Sequence, residues 1–286
     1  MSSKRNMNFS LKEGLKVLLG KHQITASKRL GQHFLVDKEV LAKIIETADL
    51  KPADIVLEIG PGLGILTEAM AKRVKKVVAV EKDAVLAGIL NEELRIMNIK
   101  NVEVVQDDIL KISHTRYKIQ NTKYKVVANL PYYITSPVIR KFLEAENSPS
   151  EMILMVQKEV AQRICARPPD MSLLAVSVQF YAEPEVISCV LKESFWPKPK
   201  VDSAIIKITP LKDTNRKLTD TNLFFRVVKT GFAHPRKQLI HNFCTGFGTS
   251  RQQTEIWLSK NSIQPSQRAE TLSVEDWLRL TNSLKT

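Results

Sequence analysis

The feature that most constrains this chain is a repeated pairing of a short β-rich apolar run with a helix-like stretch, starting at residue 54. Asp54–Ile59 reads as a strand, Gly60–Gly64 as a turn and Ile65–Arg73 as a helix. Lys76–Glu81 and Ala84–Met97 repeat the pair. Val102–Gln106 and Lys125–Asn129 are two further strands, with a helix near 137–145. Glu151–Val156 and helical Lys158–Cys165 close the series. This alternation predicts βαβ units and a mostly parallel sheet with helices on both faces. Leu174–Tyr181, Val186–Leu191 and Ser203–Ile208 read as strands with little helix between them, so an antiparallel edge is expected.

The polar stretch Thr209–Asp220 reads as a linker, and four helical segments follow, near 221–232, 236–244, 251–260 and 275–283. The expected organisation is an α/β domain over 1–209 and a small all-α domain over 210–286.

Composition narrows the class of partner. Lys and Arg number 43 against 30 Asp and Glu, a net charge of +13, which suits a polyanion and nucleic acid above others. The apolar run Met152–Val156 falls far short of the roughly 20 residues of a membrane span. Cys165, Cys189 and Cys244 are dispersed, with no CxxC or Cys/His cluster, so no metal site is expected and a reducing compartment is. The first 30 residues lack a secretory apolar stretch. They carry Lys4, Arg5, Lys12, Lys16, Lys21, Lys28 and Arg29 against Glu13 alone, and read as a phosphate-contacting arm, with a transit peptide as the alternative.

Gly60, Gly62 and Gly64 in EIGPGLG follow an apolar strand and precede a helix. Glycine lets the backbone turn sharply and approach a ligand closely. The spacing is not the GxGxxG of pyrophosphate loops, and Pro61 removes an N–H, so a nucleoside suits the loop better than a dinucleotide. Gly60, Glu81, Asp107 and Asn129 end successive strands at steps of 21, 26 and 22 residues. In a parallel sheet such ends share one rim, where ligands bind. Glu81 can accept both hydroxyls of a ribose, and Asp107 an exocyclic adenine amine. Asp108 points the other way if the strand persists through it.

Asn129-Leu130-Pro131-Tyr132 after such a loop resembles the S-adenosylmethionine-dependent N6-adenine and amino methyltransferases. The run NLPYYITSPVI, with GQHFLVD (31–37), VLEIGPGLGILTE (56–68), VVAVEKD (77–83), VVQDDIL (104–110) and FWPKPKVDSAIIKI (195–208), resembles the rRNA adenine dimethyltransferase family, its small-subunit (KsgA-type) branch above others. The likeness runs from about Lys28 to Phe243. It implies a Rossmann-like class I methyltransferase fold with a small helical RNA-binding domain, S-adenosylmethionine as cofactor, and dimethylation of two adjacent adenosines near the 3′ end of small-subunit (16S) rRNA. It also implies a part in ribosome small-subunit maturation, with small-subunit rRNA or its ribosomal particle as partner. A cytoplasmic monomer without metal is expected.

The chemistry suits the residue types. Adenine N6 is a poor nucleophile because its lone pair is delocalised into the ring. The Asn129 oxygen and the Leu130 carbonyl can accept the N6 hydrogens, with Pro131 fixing the backbone and Tyr132 offering a stacking face. By the resemblance, Phe195 closes on the other face of the target base, and Gln32, His33 and Leu35 contact the methionine end of the cofactor. The family commonly has Asn where this chain has His33, which leaves a side-chain contact there open. Lys28, Arg29, Lys198, Lys200, Arg236 and Lys237 are candidate phosphate contacts. A large-subunit rRNA methyltransferase of the antibiotic-resistance type and a non-catalytic ribosome-assembly factor are the alternative readings.

Overall fold

The computed structural model describes residues 11–27, 30–112, 119, 122–212 and 220–284. In chain order the elements are α1 (Leu11–Lys21), β1 (Phe34–Leu35), α2 (Lys38–Thr47), β2 (Ile55–Ile59), α3 (Ile65–Ala71), β3 (Lys76–Glu81), α4 (Ala84–Ile96), β4 (Val102–Gln106) and β5 (Lys125–Asn129). A 3-10 turn (Tyr132–Ile134) leads into α5 (Thr135–Leu143), β6 (Glu151–Gln157), α6 (Lys158–Ile164), α7 (Leu173–Gln179), β7 (Ala182–Val190), β8 (Phe195–Trp196) and β9 (Ser203–Pro210). The last helices are α8 (Thr221–Gly231), α9 (Leu239–Phe247), α10 (Arg251–Lys260) and α11 (Val274–Ser283).

Seven strands form one sheet in the order β4-β3-β2-β5-β6-β9-β7. The pairs from β4 to β6 are parallel, and β9 runs antiparallel to β6, so the sheet is mostly parallel with an antiparallel edge. Neighbouring residues of the central strands, Val56 with Leu57 and Val126 with Val127, are all fully buried. Both faces of the sheet are therefore covered, as continuous apolar strands require. Strand β2 pairs with β3 on one side and β5 on the other. The chain winds away from β2 in both directions, and a crevice opens at the carboxyl ends where the winding reverses.

The described residues form two compact units: those up to Glu159 with Glu185–Ile208, and Val160–Pro184 with those from Thr209 onward. Residues 160–184, placed in the first domain from the sequence, thus lie in the second unit. Within it, Leu174–Tyr181 is not a strand. Ser172 accepts the Ala175 N–H and starts α7. Ala175, Val176 and Phe180 of this segment pack with Phe224, Val227 and Phe243 in that unit's own core. A short run of β-branched residues reads alike as buried strand or buried helix, and here the cap and the packing decide for helix.

Part of the segment read as a phosphate-contacting arm, residues 11–21, is a helix docked on the first unit. Leu15 and Leu19, one turn apart on α1, are buried with Phe34, Leu63, Leu86 and Ile89. The Lys21 Nζ donates to Glu93 Oε1 at 2.7 Å and lies 3.4 Å from Glu92 Oε1, so this cation is already partnered.

Candidate active site

The cleft lies in the first unit, at the carboxyl ends of β2, β3, β4 and β5, and is closed on one side by residues 30–35. Three glycines of the loop after β2 hold positive φ: +68° at Gly60, +58° at Gly62 and +85° at Gly64. Such angles strain any residue with a side chain. At Gly62 a Cβ would also come within 3.1 Å of the Phe34 ring, so the backbone lies bare along the cleft.

Glu81 stands at the end of β3, 7% exposed. Its Oε2 accepts the Gly62 N–H at 3.1 Å and its Oε1 the Asp83 N–H at 2.9 Å. Burial pushes its carboxyl above the ordinary range, and these two N–H bonds oppose the rise. A carboxylate has about four acceptor positions, so lone pairs remain for a ligand's hydroxyls. Asp83 caps α4 through Val85 and Leu86 and accepts the Gln32 amide at 3.1 Å, while Gln32 Oε1 accepts the Ser27 N–H. Gln32 therefore ties Ser27 to the rim of the β3 loop.

Asp107 and Asp108 both line the cleft. Asp107 Oδ1 accepts the Asp108 N–H at 2.7 Å. Burial tends to raise the Asp108 carboxyl, but Lys82 and the Leu110 N–H hold it below the usual range. Asp108 was expected to point elsewhere; the strand ends at Gln106, so strict alternation stops before it. Lys141 of α5 secures this loop by donating to the carbonyls of Ile109 and Ile112 at 2.7 and 2.6 Å.

Asn129, the last residue of β5, donates its amide to the His33 carbonyl at 3.0 Å. That bond fixes which way the amide faces and turns its oxygen to the other side. Leu130 is buried, with its N–H on the Met155 carbonyl. Pro131 starts the 3-10 turn, its carbonyl accepting the Ile134 N–H. The half-buried Tyr132 bonds Ser203 Oγ through its hydroxyl at 2.9 Å, and its ring stacks near His33 at 6.0 Å and 26°. Burial raises the phenol above its ordinary value.

His33 enters this site by its backbone carbonyl and by its ring, which stacks near Tyr132 while its Nδ1 lies 2.6 Å from the Pro197 carbonyl. A carbonyl only accepts, so Nδ1 carries the proton. Leu35 is buried on the cleft wall, opposite Phe195 in the β1–β8 pair. Phe195, expected to stack on a target base, is 4% exposed and packs in the main core with Leu35, Ile44 and Ile205. Neighbouring residues of a strand point to opposite faces, and this one points inward while Trp196 joins the α1 cluster.

Of the phosphate-contact candidates, Lys28 and Arg29 lie outside the described residues. Lys198 is bonded to Glu193, and Lys200 is exposed. Arg236 and Lys237 are exposed in the turn that leads into α9.

Glu58 was not anticipated. It lines the cleft from β2 at 1% exposure, and its Oε2 accepts the Thr67 hydroxyl at 2.6 Å. Burial, aided by Glu81, pushes its carboxyl up to about 8, so it is mostly protonated at neutral pH. The signal was a single acid inside the apolar run Ile55–Ile59, where a charge has no solvent.

A family model described as "Ribosomal RNA adenine dimethylase" matches residues 23–286. The chain belongs to the ribosomal RNA adenine dimethylase family. Among the dimethylases and their relatives, a "Ribosomal RNA small subunit methyltransferase A" from Dehalococcoides mccartyi is 45% identical over 272 residues, 95% of this chain and 92% of its own. A protein of the same name from Enterococcus faecalis is 41% identical, covering 94% of each chain. A solved dimethyladenosine transferase from Plasmodium falciparum matches 88% of this chain and 98% of its own, with TM-score 0.77 and 27% identity. The 23S rRNA methyltransferase ErmE matches 88% of this chain and 100% of its own, with TM-score 0.70 and 29% identity.

Proposed function

We propose that this dimethylase transfers methyl groups from S-adenosylmethionine to the N6 amines of two adjacent adenosines near the 3′ end of small-subunit rRNA, during small-subunit maturation. The observation that carries the reading is the NLPY corner at a carboxylate-lined cleft, in a chain 45% identical to a small-subunit rRNA methyltransferase over 95% of its length.

The residues present fit the cofactor. The turn of Gly60, Gly62 and Gly64, at φ +68°, +58° and +85°, borders the cleft with backbone that a ligand can approach closely. Glu81 offers acceptors to ribose hydroxyls and Asp107 to an adenine amine, while Gln32, His33, Leu35 and Gly60 border the same cleft. When bound, S-adenosylmethionine supplies an electrophilic methyl on a cationic sulfur. Asn129, with its NH2 committed to His33, offers its oxygen to one N6 hydrogen, and the Leu130 carbonyl offers a second acceptor. Two acceptors pyramidalise the amine and aim its lone pair, so catalysis rests on positioning and preorganised dipoles. Tyr132, anchored by Ser203, holds the base by stacking. No strong base is needed, because the methylated N6 cation loses its proton readily.

The target base must leave its stack, which an RNA loop permits cheaply. Lys200, Arg236 and Lys237, with Lys28 and Arg29, are the proposed phosphate contacts, and Lys198 joins them by exchanging Glu193 for a phosphate. The enzyme acts as a cytoplasmic monomer. None of the helices described is long and apolar enough to cross a membrane.

The likeness to ErmE raises a large-subunit substrate as the second reading. Purified protein with labelled cofactor, offered separately small-subunit particles, large-subunit particles and naked rRNA, separates the two. Label as N6,N6-dimethyladenosine in small-subunit rRNA supports the proposal. Label confined to large-subunit rRNA, or none, overturns it.

A further inference from the structure

The three side chains of the 3-10 turn diverge. Ile134 turns inward at 9% exposure, and Tyr132 is held in the cleft by Ser203 and His33. Tyr133 does neither: it stands at the cleft and is 54% exposed. Among the described residues, it is the aromatic one in the set of exposed large apolar side chains.

Gly31 is its neighbour: a Cβ built there would meet Tyr133 Cδ1 at 3.8 Å and Cε1 at 3.9 Å, ordinary van der Waals contact. Gly31 holds φ +62°, a conformation that disfavours any residue with a side chain. A large aromatic ring open to water beside the cleft offers a stacking surface, and its two side-chain torsions leave little entropy to lose on stacking.

We propose that Tyr133 is a stacking platform for the base adjoining the adenosine held in the cleft. The inference rests on the function proposed above and adds a second base contact to it. Extruding one adenosine of a tandem pair takes away a stacking partner of the other. Tyr133, exposed beside the cleft that holds Tyr132, offers that base a replacement partner. Because every base has a π-face, such a platform lends affinity without reading base identity.

The test compares wild type, Tyr133→Ala and Tyr133→Phe on unmethylated small-subunit particles. It uses labelled S-adenosylmethionine, mass spectrometry of both adenosines, and calorimetric binding of the cofactor alone. Particles reconstituted with rRNA abasic at the position flanking a single target adenosine give the second arm. Y133A is expected to raise KM for intact particles about 5- to 100-fold, equivalent to about 1–3 kcal/mol at 1.4 kcal/mol per tenfold. Cofactor affinity, kcat at saturating particle and melting temperature should stay near wild type, and Y133F should match wild type. The abasic substrate should cost wild type a similar factor and Y133A nothing more. Unchanged KM in Y133A, or penalties that multiply between variant and abasic substrate, would overturn the platform. No dimethyladenosine from wild type would instead sink the underlying function, and the platform with it.

Discussion

The buried carboxyl of Glu58 makes the first unit's stability depend on pH in a calculable way. Its folded-state pKa of about 8 lies above its ordinary value of 4.5 because burial disfavours the charged form. A carboxyl raised in this way contributes its full stability below about pH 4.5. That contribution is lost as pH rises through the folded value, because the unfolded chain ionises first. Between pH 5 and 9 the loss amounts to on the order of 4 kcal/mol, taking about 1.4 kcal/mol per pKa unit. Glu58→Gln keeps an acceptor for the Thr67 hydroxyl, bonded at 2.6 Å in the parent, and removes the ionisation. The variant and the parent should therefore differ little at pH 5, and the variant should be the more stable by several kcal/mol at pH 9. Urea unfolding of both proteins at pH 5, 7 and 9 reads the difference, with the m-value checked at each pH. A gap that stays constant across that range would refute the reasoning, because it would mean Glu58 is ionised in the fold throughout.

The cleft yields further expectations. Asn129→Ala should lower kcat about 100- to 1,000-fold, the scale for a lost preorganised dipole, with cofactor affinity largely kept, as read by single-turnover methylation and calorimetry. Glu81→Gln should weaken cofactor binding by about 10- to 100-fold at pH 8, from the loss of charge-assisted acceptance, and the deficit should shrink in titrations at lower pH as the parent's raised carboxyl protonates. Gly62→Ala should destabilise by about 1–2 kcal/mol in chemical denaturation, because the residue sits at φ +58° and its Cβ would press on Phe34. Leu19→Ala should cost about 2–4 kcal/mol as a buried truncation, and calorimetry should show weaker cofactor binding, since its neighbours Phe34, Leu63 and Leu86 also line the cleft.

Much of the first unit was readable because parallel strands leave a plain record. Lys76–Glu81 and Lys125–Asn129, apolar runs covered on both faces, have the same bounds in sequence and structure, as does the less buried edge strand Val102–Gln106. The regular strand-end spacing alone points Gly60, Glu81, Asp107 and Asn129 to one rim, and all four line the cleft. What escaped depends on tertiary context. α7 looks like a strand until Ser172 and its packing partners are in place. Phe195 sits beside Trp196, and the residues alone do not say which of two adjacent aromatics faces inward. Glu58 was hidden for the opposite reason: one acid in an apolar strand looks like an interruption, and its partner Thr67 lies nine residues on, in the next helix.

The docking of α1 has a consequence for the order in which the protein assembles. Leu15 and Leu19 leave the ribosome early, but the surfaces they cover belong to Phe34, Leu63, Leu86 and Ile89, and the carboxylate that anchors Lys21 belongs to Glu93. During translation the helix waits, with an uncovered apolar stripe, for about seventy residues of chain to follow it. The helix thus finds its place only after elements well downstream of it have emerged, and a nascent chain stalled before α4 carries it undocked.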